Sequence, residues 1–242
     1  MDKFQIQEAE YTFPYHYLTS LTNNVPFIYK RLSWGYEYIT YIDYICKYIE
    51  EKIKPTSLLD IGCGDGFLIN NLTYDKSIRN KGIDLSEKAI SFAKAFSSGY
   101  EFDCIDLFQI NEKFNTVCLI EVLEHIPDHL LPSFIHEVYA KVETGGYLIV
   151  CVPTTVNIVH KKHYRHYDES LLDEQINHSN FEIIKQLRLY KKSKLLEKLV
   201  KFSQKSNSQT IKKIVWNWHK KKSYISDVKR GMHLVTIYKR TS

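Results

Sequence analysis

The stretch Ser57–Leu72, SLLDIGCGDGFLINNL, decides how the chain folds. Its apolar run (Leu58, Leu59, Ile61) carries Asp60, gives way to Gly62, Gly64 and Gly66, and resumes as an apolar-periodic segment. That order reads as strand, tight glycine turn, helix. Glycine reaches positive φ freely and lets a ligand approach the main chain, and the helix N-terminus beyond it offers unpaired N–H groups. The turn therefore suits a nucleotide-like ligand. A dinucleotide turn would read G-x-G-x-x-G, with pyrophosphate on the helix N-terminus. Here the spacing is G-x-G-x-G, and Asp60 stands two residues before the first glycine. A carboxylate there repels pyrophosphate and suits a ligand with cationic groups. Asp84, eighteen residues after the last glycine, stands where an acid would hold a ribose diol.

Outward from this turn, strand and helix signals alternate. Arg79–Ser86 reads as a second strand ending at Asp84, and Ser86 caps a helix over Glu87–Phe96. A third strand, Tyr100–Cys104, leads to Asp106. The fourth, Thr116–Ile120, is continuously apolar, as a buried central parallel strand should be. A helix follows over about Asp128–Val142, closed by Gly145-Gly146, and then a fifth strand over Tyr147–Val152, stopped by Pro153. Asp168 caps a helix through His178, and Phe181–Tyr190 and His233–Lys239 read as two more strands. The pattern predicts an α/β fold with a doubly wound, mostly parallel sheet of seven strands. Before it, Tyr36–Ile53 reads as a helix, with Tyr38, Ile42, Ile45 and Ile49 at helical spacing. Residues Met1–Ser33 hold an aromatic cluster (Tyr11, Phe13, Tyr15, Tyr17) with Pro14 and His16, then a polar break at Thr22–Pro26.

The chain of 242 residues allows one large domain or two small ones. No apolar run approaches the ~20 residues of a membrane span, and the start, MDKFQIQEAEY, is not that of a secretory signal. The five cysteines lack C-x-x-C spacing and are odd in number, which suits buried thiols in a reducing compartment. A cytoplasmic location is expected, with a peripheral place at the inner membrane face as the variant. Net charge is +5, yet Arg188–Lys222 holds twelve Lys/Arg against the single acid Glu197, a local +11. The rest of the chain therefore carries −6. Apolar Leu195, Leu196, Leu199, Val200 and Phe202, then Ile211, Ile214, Val215, Trp216 and Trp218, alternate with these lysines. Two short amphipathic helices over this segment could meet an anionic membrane, steer an anionic substrate, or pack on the body. Nucleic acid is disfavoured, because no RNA-binding module is recognisable.

The glycine turn, with GIDLS (82–86), FDCIDL (102–107) and IEVLEH (120–125) in order, resembles the class I S-adenosylmethionine-dependent methyltransferases over Tyr36–Tyr190 and the last strand. The resemblance implies a Rossmann-like sheet with an antiparallel last strand and S-adenosylmethionine as cofactor, leaving as S-adenosylhomocysteine. It implies Gly62, Gly64 and Gly66 as the cradle, Asp60 and Glu121 beside the methionine part, and Asp84 on the ribose. Leu85 and Leu107 would clamp the adenine, and Asp106 would meet its amine. It divides the single domain into an N-terminal helical lid (1–54), a cofactor-binding core (55–190), a basic helical insertion (191–230) and the last strand (231–242).

Glu121, Glu124 and His125 would share one helical turn after the fourth strand, and His163 and His166 follow the fifth. Methyl transfer needs alignment and removal of a proton from the acceptor, and imidazole is the natural base near neutral pH. His125, His163 and His166 are the candidate bases, and Arg165 could meet an anionic acceptor or form a surface ion pair. E-x-x-E-H with a later His also resembles the metal site of small-RNA 3′-end 2′-O-methyltransferases, but E-V-L-E-H occurs in relatives without metal, including quinone-biosynthesis O-methyltransferases. The expected activity is O-methylation of a small polar, glycan or phosphorylated acceptor without metal. The alternatives are a metal-dependent RNA 3′-end 2′-O-methyltransferase and a non-catalytic cofactor-binding or membrane-associated partner protein.

Overall fold

The computed structural model describes residues 2–11, 19–22, 25–28, 35–73, 77–97, 99–176, 180–206 and 208–241. Phe13–Tyr17 of the aromatic cluster and His178 lie outside the described residues. The chain opens with α1 (Lys3–Glu10), a hairpin of β1 (Thr19–Thr22) and β2 (Val25–Ile28), and α2 (Gly35–Tyr48). Helix α1 is absent from the sequence reading because most of its residues are polar and none is buried. A capping box starts it: Gln5 N–H donates to Asp2 at 2.7 Å, and Asp2 N–H donates to the Gln5 side chain at 3.1 Å. Helix α2 widens into a π turn over Ile49–Ile53, which Lys54 ends at φ 53° ahead of Pro55.

The sheet follows: β3 (Ser57–Ile61), short α3 (Phe67–Asn70), β4 (Arg79–Asp84), α4 (Glu87–Phe96), β5 (Glu101–Cys104), β6 (Phe114–Ile120), α5 (Leu131–Lys141) and β7 (Val142–Pro153). Then come α6 (Glu169–Ile176), β8 (Phe181–Lys191), α7 (Lys194–Lys205), α8 (Gln209–Lys222), β9 (Ile225–Ser226) and β10 (Gly231–Arg240). The strand order is β5-β4-β3-β6-β7-β10-β8-β9. Strands β3 to β7 are parallel, and β10 runs antiparallel between β7 and β8. The sheet thus has eight strands, not the expected seven. The eighth, β9, is two residues at the edge, too short to show a period, and exists by pairing with Arg188 and Leu189.

Both faces of the sheet are apolar, so side chains alternate between two layers. Leu59, Ile61, Val117, Leu119, Val150 and Val152 meet α5 and α6, whereas Leu58, Cys118, Ile149 and Cys151 meet α2, α3 and α4. Two boundaries differ from expectation. Helix α5 starts at Leu131 because the residue before Pro127, Ile126, is forced extended, which separates α5 from a 3₁₀ turn at Leu123–His125. Gly145-Gly146 lies inside β7, where the pairing with β6 shifts register, rather than closing the helix.

Candidate active site

The order β5-β4-β3 is reached by winding one way from β3, and β6-β7 by winding the other, so a crevice opens between the carboxyl ends of β3 and β6. Gly62 leaves β3 and Glu121 leaves β6 at that crevice. The three glycines have φ of 72°, 56° and 76°, a region that L side chains rarely occupy. Gly62 and Gly66 are also wedged: a Cβ would come within 2.6 Å of Val122 and 2.8 Å of Phe102 respectively. A Cβ on Gly64 would make only an ordinary contact, with the Tyr11 hydroxyl at 3.7 Å. The outer two glycines shape the turn, and the middle one is where a ligand can approach.

Two connected chambers fill the crevice. One, of about 390 Å³, is lined by Asp84, Leu85, Asp106, Leu107 and Phe108 and roofed by Phe4 and Tyr11. Asp84 Oδ2 accepts the Gly64 N–H and Oδ1 accepts the Ser86 N–H, both at 2.9 Å. Each oxygen keeps a further lone pair for a ligand hydroxyl. Burial raises the Asp84 carboxyl above its ordinary range, and those two N–H groups oppose the shift. Leu85 is exposed over the cleft, whereas Leu107 is buried beneath it. Asp106 caps the 3₁₀ turn Leu107–Gln109 by accepting the Phe108 N–H at 3.1 Å, while also lining the chamber.

The other chamber, of about 680 Å³, is lined by many ionisable side chains. It contains Asp60, Glu121, Glu124, His125, His163, His166 and two residues without any sequence signal, Glu37 and His233. Asp60 is buried at the end of β3, and burial, then the charge of Asp84, pushes its carboxyl well up. Glu121 stands at φ 58° and is therefore not on a helical turn with Glu124 and His125. Its carboxylate accepts from His233 Nδ1 at 2.9 Å, and His233 Nε2 donates to Glu37 at 2.6 Å. Two carboxylates require both ring nitrogens to carry protons, so His233 is an imidazolium. Burial works against that charge, but Glu121 above all holds the pKa well above its ordinary value.

His125, His163 and His166 have neutral arrangements. Carbonyls only accept, so His166 Nδ1–H donates to Asn157 O at 3.1 Å and its Nε2 accepts from His163 Nδ1–H at 2.8 Å. His163 Nε2 keeps its lone pair. His125 Nδ1–H donates to Lys162 O at 3.3 Å, and its Nε2 also keeps a lone pair, 3.9 Å from Glu124. Burial, with nearby Lys162, lowers His125 to about 4; burial, with His125 and His166, lowers His163 to about 2. Burial lowers His166 too. Glu124 is 0% exposed and neither of its oxygens has a hydrogen-bond partner; burial, then Glu121, drives its carboxyl well up.

Donor atoms of Glu124, His125 and His163 lie within 4.8 Å of one another, so these three could hold a metal ion. Glu121, Cys151 and His233 are equally close, but both nitrogens of His233 are spent on carboxylates. Arg165 is not directed at an acceptor. It donates to Leu123 O and Ile126 O, each at 2.7 Å, and pairs with Asp128, locking the turn that carries His125. The roof is stapled from α1: Lys3 donates to the carbonyls of Lys161 and His163, and Glu10 pairs with Lys162 at 2.6 Å.

A family profile described as a methyltransferase domain matches residues 34–190. The chain is similar to a ubiquinone biosynthesis O-methyltransferase of Coxiella burnetii, 32% identical over 111 residues, which are 42% of this chain and 46% of that protein. The chain thus spans about half the length of the curated relative it matches. Among solved structures it is similar to the N-methyltransferase NodS of Bradyrhizobium japonicum (TM-score 0.63, 14% identity, 100% of both chains). It is similar as well to magnesium protoporphyrin IX methyltransferase of Synechocystis (TM-score 0.63, 14% identity, 99% of this chain and 98% of that one). At such identities the likeness is one of fold.

Proposed function

The chain belongs to the S-adenosylmethionine-dependent methyltransferase family, and on that premise we propose that it methylates an oxygen of a small polar, glycan-like or phosphorylated acceptor. The observation that carries this reading is the junction of the two chambers: Asp84 and the open side of Gly64 on one hand, a set of neutral imidazoles on the other. The residues fit the cofactor. Asp84 has lone pairs left for two ribose hydroxyls, Leu85 and Phe108 offer apolar surface for a flat base, and Asp60 and Glu121 suit a cationic methionine end. When bound, the cofactor supplies a methyl group already activated by its sulfonium.

The protein's own task is then to orient the acceptor and take its proton. His125 Nε2 and His163 Nε2 are the atoms free to do so, and His166 acts as a positioning residue that fixes the His163 tautomer. Relatives named as O-methyltransferases favour oxygen over nitrogen.

A second reading rests on Glu124. A buried carboxyl without partners, facing two imidazole lone pairs, is the donor set of a divalent-ion site. Glu124, His125 and His163 would hold the ion, which would grip acceptor hydroxyls as in a metal-dependent RNA 3′-end 2′-O-methyltransferase. Calorimetric titration with S-adenosylhomocysteine, with and without chelator, separates the readings. Binding that chelator leaves intact, and that Asp84→Ala weakens by roughly tenfold or more, supports the first reading. Turnover that chelator abolishes promotes the second. Binding without turnover on sugars, phosphorylated sugars or quinone precursors leaves a cofactor-binding protein, and no binding overturns the site.

A further inference from the structure

Helices α7 and α8 have one face committed to the body. Ser193 and Ser208 cap them, and Leu196, Val200, Val215 and Trp216 are buried against Tyr36 and Ile39 of α2, with Tyr190 and Met232. The opposite face of α7 carries Lys194, Leu195, Lys198, Lys201, Phe202 and Lys205, all exposed, at the spacing of a single helical stripe. On α8 the exposed residues include Lys213, Ile214, Lys221 and Lys222. Leu195, Phe202 and Ile214 are 57%, 62% and 61% exposed, set among lysines. Among the described residues none of these seven lysines forms an ion pair.

We propose that the outward faces of α7 and α8 are a docking surface for an anionic lipid bilayer. Charge chooses the partner: seven exposed lysines outside any ion pair lie on these faces, within a segment of +11, while the rest of the chain is net negative, so attraction to an anionic surface is concentrated here. The apolar side chains choose a bilayer over nucleic acid. Leu195 and Ile214 gain by entering acyl chains and have nothing to gain from a phosphate backbone, and Trp216, which could stack on a base, is buried. Lysines flanking them can lay their stems along the apolar surface and hold their ammonium groups at the headgroups.

The test is co-sedimentation of the full chain with vesicles of phosphatidylcholine alone and of an equimolar mixture with phosphatidylglycerol. Binding is expected only to the mixed vesicles, and it should fall as salt rises. Reversing Lys194, Lys198, Lys201 and Lys205 to Glu should weaken it by roughly a hundredfold or more. Leu195→Ser with Phe202→Ser should weaken it by roughly tenfold. Lys88→Glu with Lys113→Glu, exposed lysines elsewhere, should leave it largely unchanged. If the fourfold variant does not fold by circular dichroism, Lys198→Glu and Lys201→Glu are tested singly, each expected to cost roughly fivefold. Absence of binding to the mixed vesicles overturns the proposal. So does tighter binding to a single-stranded RNA oligomer that ignores Leu195→Ser and Phe202→Ser, which would make the stripe a nucleic-acid surface.

Discussion

His219, at the C-terminal end of α8, is fully buried, and its Nε2 lies 2.7 Å from the Thr40 hydroxyl. That hydroxyl spends its proton on Tyr36 O, so Nε2 must donate, and Nδ1 is left buried without a partner. Burial accordingly lowers His219 to about 4. The unfolded chain takes up the proton near 6.5 and the folded one only near 4, so stability is full above pH 6.5 and drains as pH falls towards 4. The loss through this residue is about 3 kcal/mol. His219→Gln, which keeps the bond to Thr40, is expected to flatten the melting temperature over that window, read by thermal denaturation at several pH values. An unchanged profile would mean that His219 is not held neutral. The same accounting of donors and acceptors separates His233, a cation between two carboxylates, from His125, His163 and His166. All four have the same residue type in the sequence; only their partners tell them apart.

The glycine turn shows how one element divides its labour. Gly66→Ala adds a Cβ at φ 76° and 2.8 Å from Phe102, and is expected to cost the fold roughly 2–4 kcal/mol. Gly64→Ala, at φ 56° and with no clash for its Cβ, should cost only about 1–2 kcal/mol in chemical denaturation. Its larger effect should be on S-adenosylhomocysteine affinity, because the new methyl projects into the space a ligand needs. Equal effects of the two on stability and on affinity would contradict the division. Elements with both an apolar period and a cap, such as α4 behind Ser86, are legible in sequence. Helix α1 is not, because its stabilisation comes from a capping box and from polar contacts to residues 161–163.

Across the whole molecule, α1 and the segment after β7 close over the crevice that the sheet opens. No residue of α1 is buried, so little apolar burial holds it in place, and its amides should exchange rapidly in the free protein. A ligand contacting Phe4, Gln7 and Tyr11 should slow that exchange; hydrogen exchange with and without S-adenosylhomocysteine measures it. Protection unchanged on binding would detach α1 from the site. The winding of the sheet, the glycine cradle and Asp84 are determined by the sequence itself, because each rests on local backbone demands and on periods of two and of 3.6 residues. The two-residue edge strand β9, the His233 bridge to Glu37 and Glu121, and the uncompensated Glu124 are decided only by tertiary structure. These depend on which distant residues share a dry interior, where the cost of an unpaired or like charge sets each protonation state, and no local pattern encodes that proximity.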